Sequence, residues 1–243
     1  VHEMAPGASL YLAKVSTEVQ LGQALDDMAA AGVRVINHSV AWYAAAFYDG
    51  TGPICAIANS ADAQGAQWIN AMGNSRLQHY LGPFTDSNAD LRHEFATSQD
   101  YNTISLPAGS VVSLILNWDA YPTTTIDYDL YLYDGPPDGG GVVVASSLNR
   151  QSGKGPSYYP YPYETIDYTP AMTGTHYIVV RKANASQANR AVTLFSTGPN
   201  LVTRTTASSI LQPADCANVI GVGAVDLGDN PESFSSEGPT TDG

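Results

Sequence analysis

From residue 1 to about 84 the apolar positions switch between a strand period and a helix period. The run ASLYLAKV is short, apolar and rich in strand formers. In TEVQLGQALDDMAAAG, Val19, Leu21, Ala24, Leu25 and Met28 fall at helical spacing. Thr17 is placed as N-cap, Gln20 completes a capping box, and Gly32 stops the helix. VRVINHSV predicts a second strand, ICAIANSADAQG a second helix ending in glycine, and AQWINAMGN a third strand. Apolar strands alternating with helices predict a parallel sheet covered by helices. In such sheets ligands bind beyond the carboxyl ends of the strands.

Between about 85 and 198 the period changes to two. SVVSLILNWD, DYDLYLYD, GVVVASS, GTHYIVVRKA and RAVTLFSTG alternate in and out, separated by the turn sequences LPAGS, DGPPDGGG and PAMTGT. Val112, Leu114, Leu116 and Trp118 share one face, and Leu130 and Leu132 oppose Asp129, Tyr131 and Tyr133. Evenly spaced strands without intervening helices predict an antiparallel β-sandwich or jelly roll. From 199 to 243 the first style returns: ANVIGVGAVD reads as a buried parallel strand and ESFSSEGPTTDG as a polar loop. The fold class expected is therefore an incomplete α/β parallel-sheet unit (1–84 and 199–243) interrupted by an all-β unit (85–198).

Composition narrows the partners. Hydrophobic residues make up 44% of the chain, enough for a core, and no apolar run reaches the length of a membrane helix. Acids outnumber bases 23 to 10, giving a net charge of −13, so there is no basic stripe for nucleic acid. The balance, with abundant Ser, Thr and Tyr, fits an extracellular β-rich protein in which clustered acids could hold calcium. Cys55 and Cys216 could form one disulfide or stay as buried thiols; with no metal-ligand spacing around either, thiols are the expectation. No signal peptide is visible, and the opening VHEMAPGASLYLAKV reads like the middle of a domain, so upstream sequence is expected to have been removed.

The stretch INAMGN carries the chemical question, because a strand there ends in small residues and one amide side chain. Gly73 permits a positive φ or a close backbone approach. Asn74 could then be a turn former, a helix cap or a hydrogen-bond donor; the turn is the ordinary reading, and a place at the carboxyl end of a parallel strand weakens it.

Three stretches together resemble the subtilisin-like serine peptidases, the subtilases. MAPGASLYLAKV is similar to the family's Pro-Gly-Ala turn and strand after its histidine helix. INAMGN resembles its alanine-glycine-asparagine strand end, and NVIGVGAVDLGDNPESFSSEGP resembles the segment ahead of its serine helix. VRVINHSV sits where the substrate-flanking strand belongs. The intervening LILNWDAYPTTTIDYDLYLYDG and TPAMTGTHYIVVRKA resemble a prepeptidase C-terminal β-sandwich, a module of secreted bacterial peptidases.

The resemblance implies that Asn74 donates to the oxyanion of a tetrahedral intermediate. It also implies that Ser39, Val40 and Ala41, with Gly73, form the substrate-binding edge. Trp42 replaces the family's glycine and is expected to narrow a pocket. Acyl transfer by this mechanism needs a serine, a histidine and an acid; the resemblance places all three outside residues 1–243, so the chain alone is expected to be inactive. His2, followed by Glu3 rather than Gly-Thr, does not match the catalytic histidine. His38 is expected to be a packed strand residue with a satisfied ring, and His79, His93 and His176 form no visible ligand pair. Ser235 and Ser236 lack a glycine elbow and match a non-catalytic strand end.

The cofactor expectation is none required, with Asp119, Asp127 and Asp129 as calcium candidates against a solvated face. The implied function is the middle of a secreted bacterial serine endopeptidase acting on peptide or protein substrates. A binding alternative assigns polysaccharide, cell-wall or protein contact to the β unit, with Tyr158, Tyr159, Tyr161 and Tyr163 as a candidate strip against an ordinary loop. A pseudo-protease scaffold is a third. Without an acid-bearing strand between LYLAKV and VRVINHSV, an oligomer or domain swap is expected, or an α/β part held together partly by the insertion.

Overall fold

The computed structural model describes residues 3–153 and 158–243, so His2 lies outside the described residues. Three sheets organise the chain. Strands β1 (Val35–His38), β2 (Gln67–Ala71) and β11 (Val219–Val222) form a parallel sheet in the order β1-β2-β11, so β2 is central. Helices α1 (Glu18–Ala30) and α2 (Pro53–Ala63) accompany it. Leu21 and Leu25 of α1, Ile54, Cys55, Ala58 and Ala61 of α2, and Ile36 and Trp68 of the strands form one core. Helix α1 starts as the sequence dictates. The Thr17 hydroxyl accepts from the Gln20 N–H at 3.2 Å, and the Gln20 side chain accepts in return from the Ser16 N–H at 2.8 Å. Gly32 follows the helix with φ +78°.

The other two sheets are antiparallel and four-stranded. One has the order β3-β10-β5-β8 (His79–Pro83, Ala191–Ser196, Val112–Trp118, Tyr163–Tyr168). The other has the order β4-β9-β6-β7 (Asn102–Leu106, Gly174–Lys182, Tyr128–Tyr133, Val143–Ser147). Leu114, Leu116, Trp118 and Leu194 of the first share a core cluster with Ile104, Leu130, Leu132 and Ile178 of the second. The opposite face of β5 and β10 is buried as well. There Ile115 and Phe195 pack with Tyr48 and Leu211 of the α/β part, so β5 shows no exposed alternate face.

Four expectations are corrected. Residues 8–15 carry no regular secondary structure, and Leu12 is 96% exposed; among the described residues the run joins no ladder, although β1 leaves an edge open. Strands β3, β4 and β8 appear where alternation had not marked them. Cys55 and Cys216 are joined as a disulfide instead of standing as thiols, tying α2 to the turn before β11. Trp42 lies against the α/β core, and its backbone N–H donates to the Gln212 carbonyl at 3.0 Å. Among the described residues no helix is long and apolar enough to cross a membrane.

Candidate functional site

The central strand β2 delivers the site. Met72 continues its ladder, donating to the Val222 carbonyl at 2.9 Å and accepting from the Leu211 N–H at 3.2 Å. The chain then bends at Gly73, whose φ of +106° is open to glycine and strained for other residues. A Cβ at this position would stand 3.0 Å from both Leu211 Cδ1 and Ser236 Oγ, so glycine also permits the close approach of those side chains. Asn74 follows, exposed at the sheet's carboxyl end.

Asn74 lines a cleft of about 270 Å³ with Ser39, Asn37, Ile69, Ala71, Gly73, Val222 and Ala224. Among the described residues no hydrogen bond ties down its side-chain amide, which leaves both N–H groups available to a ligand oxygen. Ser39 and Gly73 share the cleft with Asn74; Val40 and Ala41 do not line it. Val40 is exposed and its carbonyl accepts from Asn70 Nδ2, while Ala41 packs toward the Tyr48–Phe195 cluster.

A buried polar pair underlies the cleft. Asn70 is 1% exposed, donates to the Ala71 carbonyl at 2.8 Å and accepts from His38 Nδ1 at 2.5 Å. Since Asn70 Oδ1 can only accept, the neutral His38 ring carries its proton on Nδ1. Its Nε2 is buried without a partner, so the ring is only half satisfied, contrary to the expectation. Burial holds the His38 pKa below the ordinary value, with the Asn70 bond opposing.

The other described histidines are engaged elsewhere. His79 Nδ1 donates to the Thr205 carbonyl at 2.9 Å, and His93 Nδ1 accepts from the Thr85 N–H while its Nε2 donates to the Tyr80 hydroxyl. His176 bonds the Gly174 carbonyl. Among the described residues no serine hydroxyl bonds a histidine ring, so no nucleophile–base pair is assembled there. Ser235 and Ser236 are buried, and their hydroxyls serve the backbone: Ser235 Oγ accepts from the Ala224 N–H at 3.0 Å and Ser236 Oγ from the Ser75 N–H at 2.9 Å. Sequence reasoning treated this pair as a loop. Its role depends on a contact across more than 150 residues, which no local pattern signals.

The calcium candidates are not brought together. Asp119 lines a shallow surface cleft with Tyr121, Thr123 and Arg190. Asp127 and Asp129 lie near each other instead; burial first, and then Asp127, push the Asp129 carboxyl up to about 6. Among the described residues the only three potential ligand groups converging within 4.8 Å are Cys55, Asp215 and Cys216, and both sulfurs there are spent in the disulfide. The Tyr159 ring packs edge-on against Tyr161 and Tyr163, 5.0 and 5.3 Å between centroids, while Tyr158 and Tyr161 stay exposed.

Comparison with known proteins finds two kinds of likeness. The family model described as "Subtilase family" matches residues 138–243. The Clostridium perfringens CspB protease has a similar structure, with TM-score 0.59 and 17% identity over 93% of this chain and 50% of that one. The chain thus spans half the length of that protease. A surface-associated copper-binding protein, CorA of Methylomicrobium album BG8, matches at TM-score 0.35 and 8% identity over 49% of this chain and 92% of that one, too slight a likeness to carry an argument. No curated protein matches the chain. Residues 138–243 are thus similar to the subtilase family, and the chain as a whole shares the fold of that protease.

Proposed function

We propose that this chain supplies the oxyanion donor and the substrate-facing strand end of a secreted bacterial subtilisin-like serine endopeptidase, whose Asp, His and Ser lie outside residues 1–243. The antiparallel unit at about 85–198 is read as a prepeptidase C-terminal-like sandwich set into the catalytic domain. The observation that carries the reading is the Asn74 amide, untethered at the carboxyl end of the central parallel strand and facing a cleft. Such an amide stabilises the negative oxygen that develops when a nucleophile adds to a peptide carbonyl, and a rigid strand behind it keeps the reorganisation small. Ser39 at the end of β1 lies on the same cleft, where extended substrate backbone could run alongside.

Residues 1–243 alone are expected not to hydrolyse a general peptide substrate; hydrolysis blocked by a serine-directed inhibitor would overturn the placement of the triad. In the protein that carries the triad, Asn74→Ala is expected to lower kcat by about 10²–10³ with KM little changed, a magnitude carried over from a subtilisin asparagine. An unchanged kcat removes Asn74 from the oxyanion site.

A second reading gives the antiparallel unit a polysaccharide-binding role. A cleft of about 330 Å³ on the β6–β9 sheet is lined by Tyr131, Tyr133, Val179, Arg181, Arg92 and Asp138. Arg92 is held by Asp100 and Asp138 at 2.9 and 3.0 Å, whereas Arg181 has no acid partner among the described residues. Tyrosine rings beside fixed charged groups suit sugar faces and hydroxyls. Retention on insoluble cell-wall polysaccharide should be lost in Tyr131→Ala plus Tyr133→Ala and kept in Tyr159→Ala plus Tyr161→Ala; the reverse pattern, or no retention, counts against this cleft.

Among the described residues the outer edge of β1 has no strand beside it in the sheet. An added strand from a second copy would satisfy that edge, which is the basis for proposing an oligomer or swap.

A further inference from the structure

We propose that Ser236 is a positioning residue for the oxyanion donor, fixing the turn that aims Asn74; this rests on the reading of Asn74 given above. Asn74 is exposed and follows a glycine with φ +106°. Among the described residues no partner of its own side chain holds its direction. Both peptide groups flanking it are instead bonded to one residue 162 positions on. The Ser236 N–H donates to the Gly73 carbonyl at 2.9 Å, and Ser236 Oγ accepts from the Ser75 N–H at 2.9 Å. The two bonds bracket Asn74 in the chain, so its φ and ψ are set by a clamp with a single anchor.

The anchor is rigid in turn. Ser236 is 3% exposed, and a Cβ on residue 73 would stand 3.0 Å from its Oγ, so only glycine lets the serine approach this closely. Its neighbour Ser235 accepts from the Ala224 N–H on the opposite wall of the same cleft, at 3.0 Å. Tyr43 adds a further contact to the turn, its hydroxyl 3.3 Å from Ser75 Oγ. Two adjacent serines thus connect both walls of the cleft through main-chain hydrogen bonds. Ser236 does not line the cleft; it acts through Asn74 alone.

The test is a double-mutant cycle in the protein that carries the triad. Ser236→Ala is expected to lower kcat by about 10- to 10²-fold, the scale of a misplaced catalytic group, with KM unchanged. In an Asn74→Ala background Ser236→Ala should have no further effect, because the group it aims is already gone. Ser236→Cys, which keeps the volume but weakens the acceptor, should fall between and covers the case in which the alanine variant fails to fold. Loss of activity in Asn74→Ala with Ser236→Ala and Ser236→Cys both fully active overturns the positioning role only. An equal fall in both backgrounds also overturns it, showing a general effect on the fold. If Asn74→Ala leaves kcat intact, the oxyanion reading fails and the positioning role fails with it.

Discussion

At the scale of the residue, the buried titratable groups divide into two opposed sets. His79 and His93 are fully buried, and burial lowers both to about 4. They are neutral in the folded protein but take up a proton near 6.5 when unfolded. Their contribution is therefore complete above pH 6.5 and is lost as pH falls toward 4, about 3 kcal/mol each at most. Glu164 is the reverse. Its side chain accepts from Ser147, Asn149 and Gln151, yet burial dominates and raises it to about 7. Asp215, whose carboxylate lies 3.5 Å from both sulfurs of the disulfide, is raised by burial to about 6. These carboxyls favour the fold below their unfolded range, and that contribution is lost as pH rises through 6 to 7. Thermal melts from pH 4 to 8 check both signs. His79→Gln should flatten the fall in Tm between pH 6.5 and 4, and Glu164→Gln should flatten the decline between about 4.5 and 7. A parallel profile in either variant would remove that group from the account.

At the scale of the element, what could be read from the sequence was whatever depends on near neighbours. The N-cap of α1 was legible because Ser16, Thr17 and Gln20 settle it among themselves. Strands β1, β2 and β11 were legible from apolar runs, and so was the place of Asn74 after one of them; the role proposed for it came from the resemblance alone. The run ASLYLAKV misled because propensity supplies no pairing partner. Strand β8 was missed because its sequence, YETIDY, places Glu164 inward at 0% exposure, where alternation expects an apolar residue. In β5 the period-two reading found Val112, Leu114, Leu116 and Trp118 but left Ile115 and Asn117 outside. A sheet covered on both faces has no outside. Ser236 escaped notice for a related reason: serine pairs in a polar stretch look solvated until a distant turn lies against them.

At the scale of the whole molecule, the α/β part and the antiparallel sheets share a small apolar joint. Tyr48 is fully buried against Ile115, Phe195 and Leu211, and its hydroxyl reaches Asn117 at 3.5 Å. Phe195 also lies 4.5 Å from the His79 ring. Truncating it leaves a cavity at the point where the two parts touch, so Phe195→Ala is expected to cost about 3–5 kcal/mol. Because the joint belongs to both parts, urea unfolding followed by far-ultraviolet circular dichroism and by tryptophan fluorescence should give coincident curves in the parent. The variant should lose that coincidence, or shift as one transition by the stated amount. An unshifted, coincident transition would show that the joint carries no coupling.

The Cys55–Cys216 bond has a consequence at this same scale. It is buried, and the loop it closes is 161 residues long and contains both antiparallel sheets. A peptidase cutting any exposed turn in that loop would break the chain without releasing either end of it. The strand that delivers Asn74 and the segment that carries Ser236 would stay one covalent molecule, joined at α2 and before β11. Such a nick would leave the wall-to-wall contacts of the cleft within reach of re-forming.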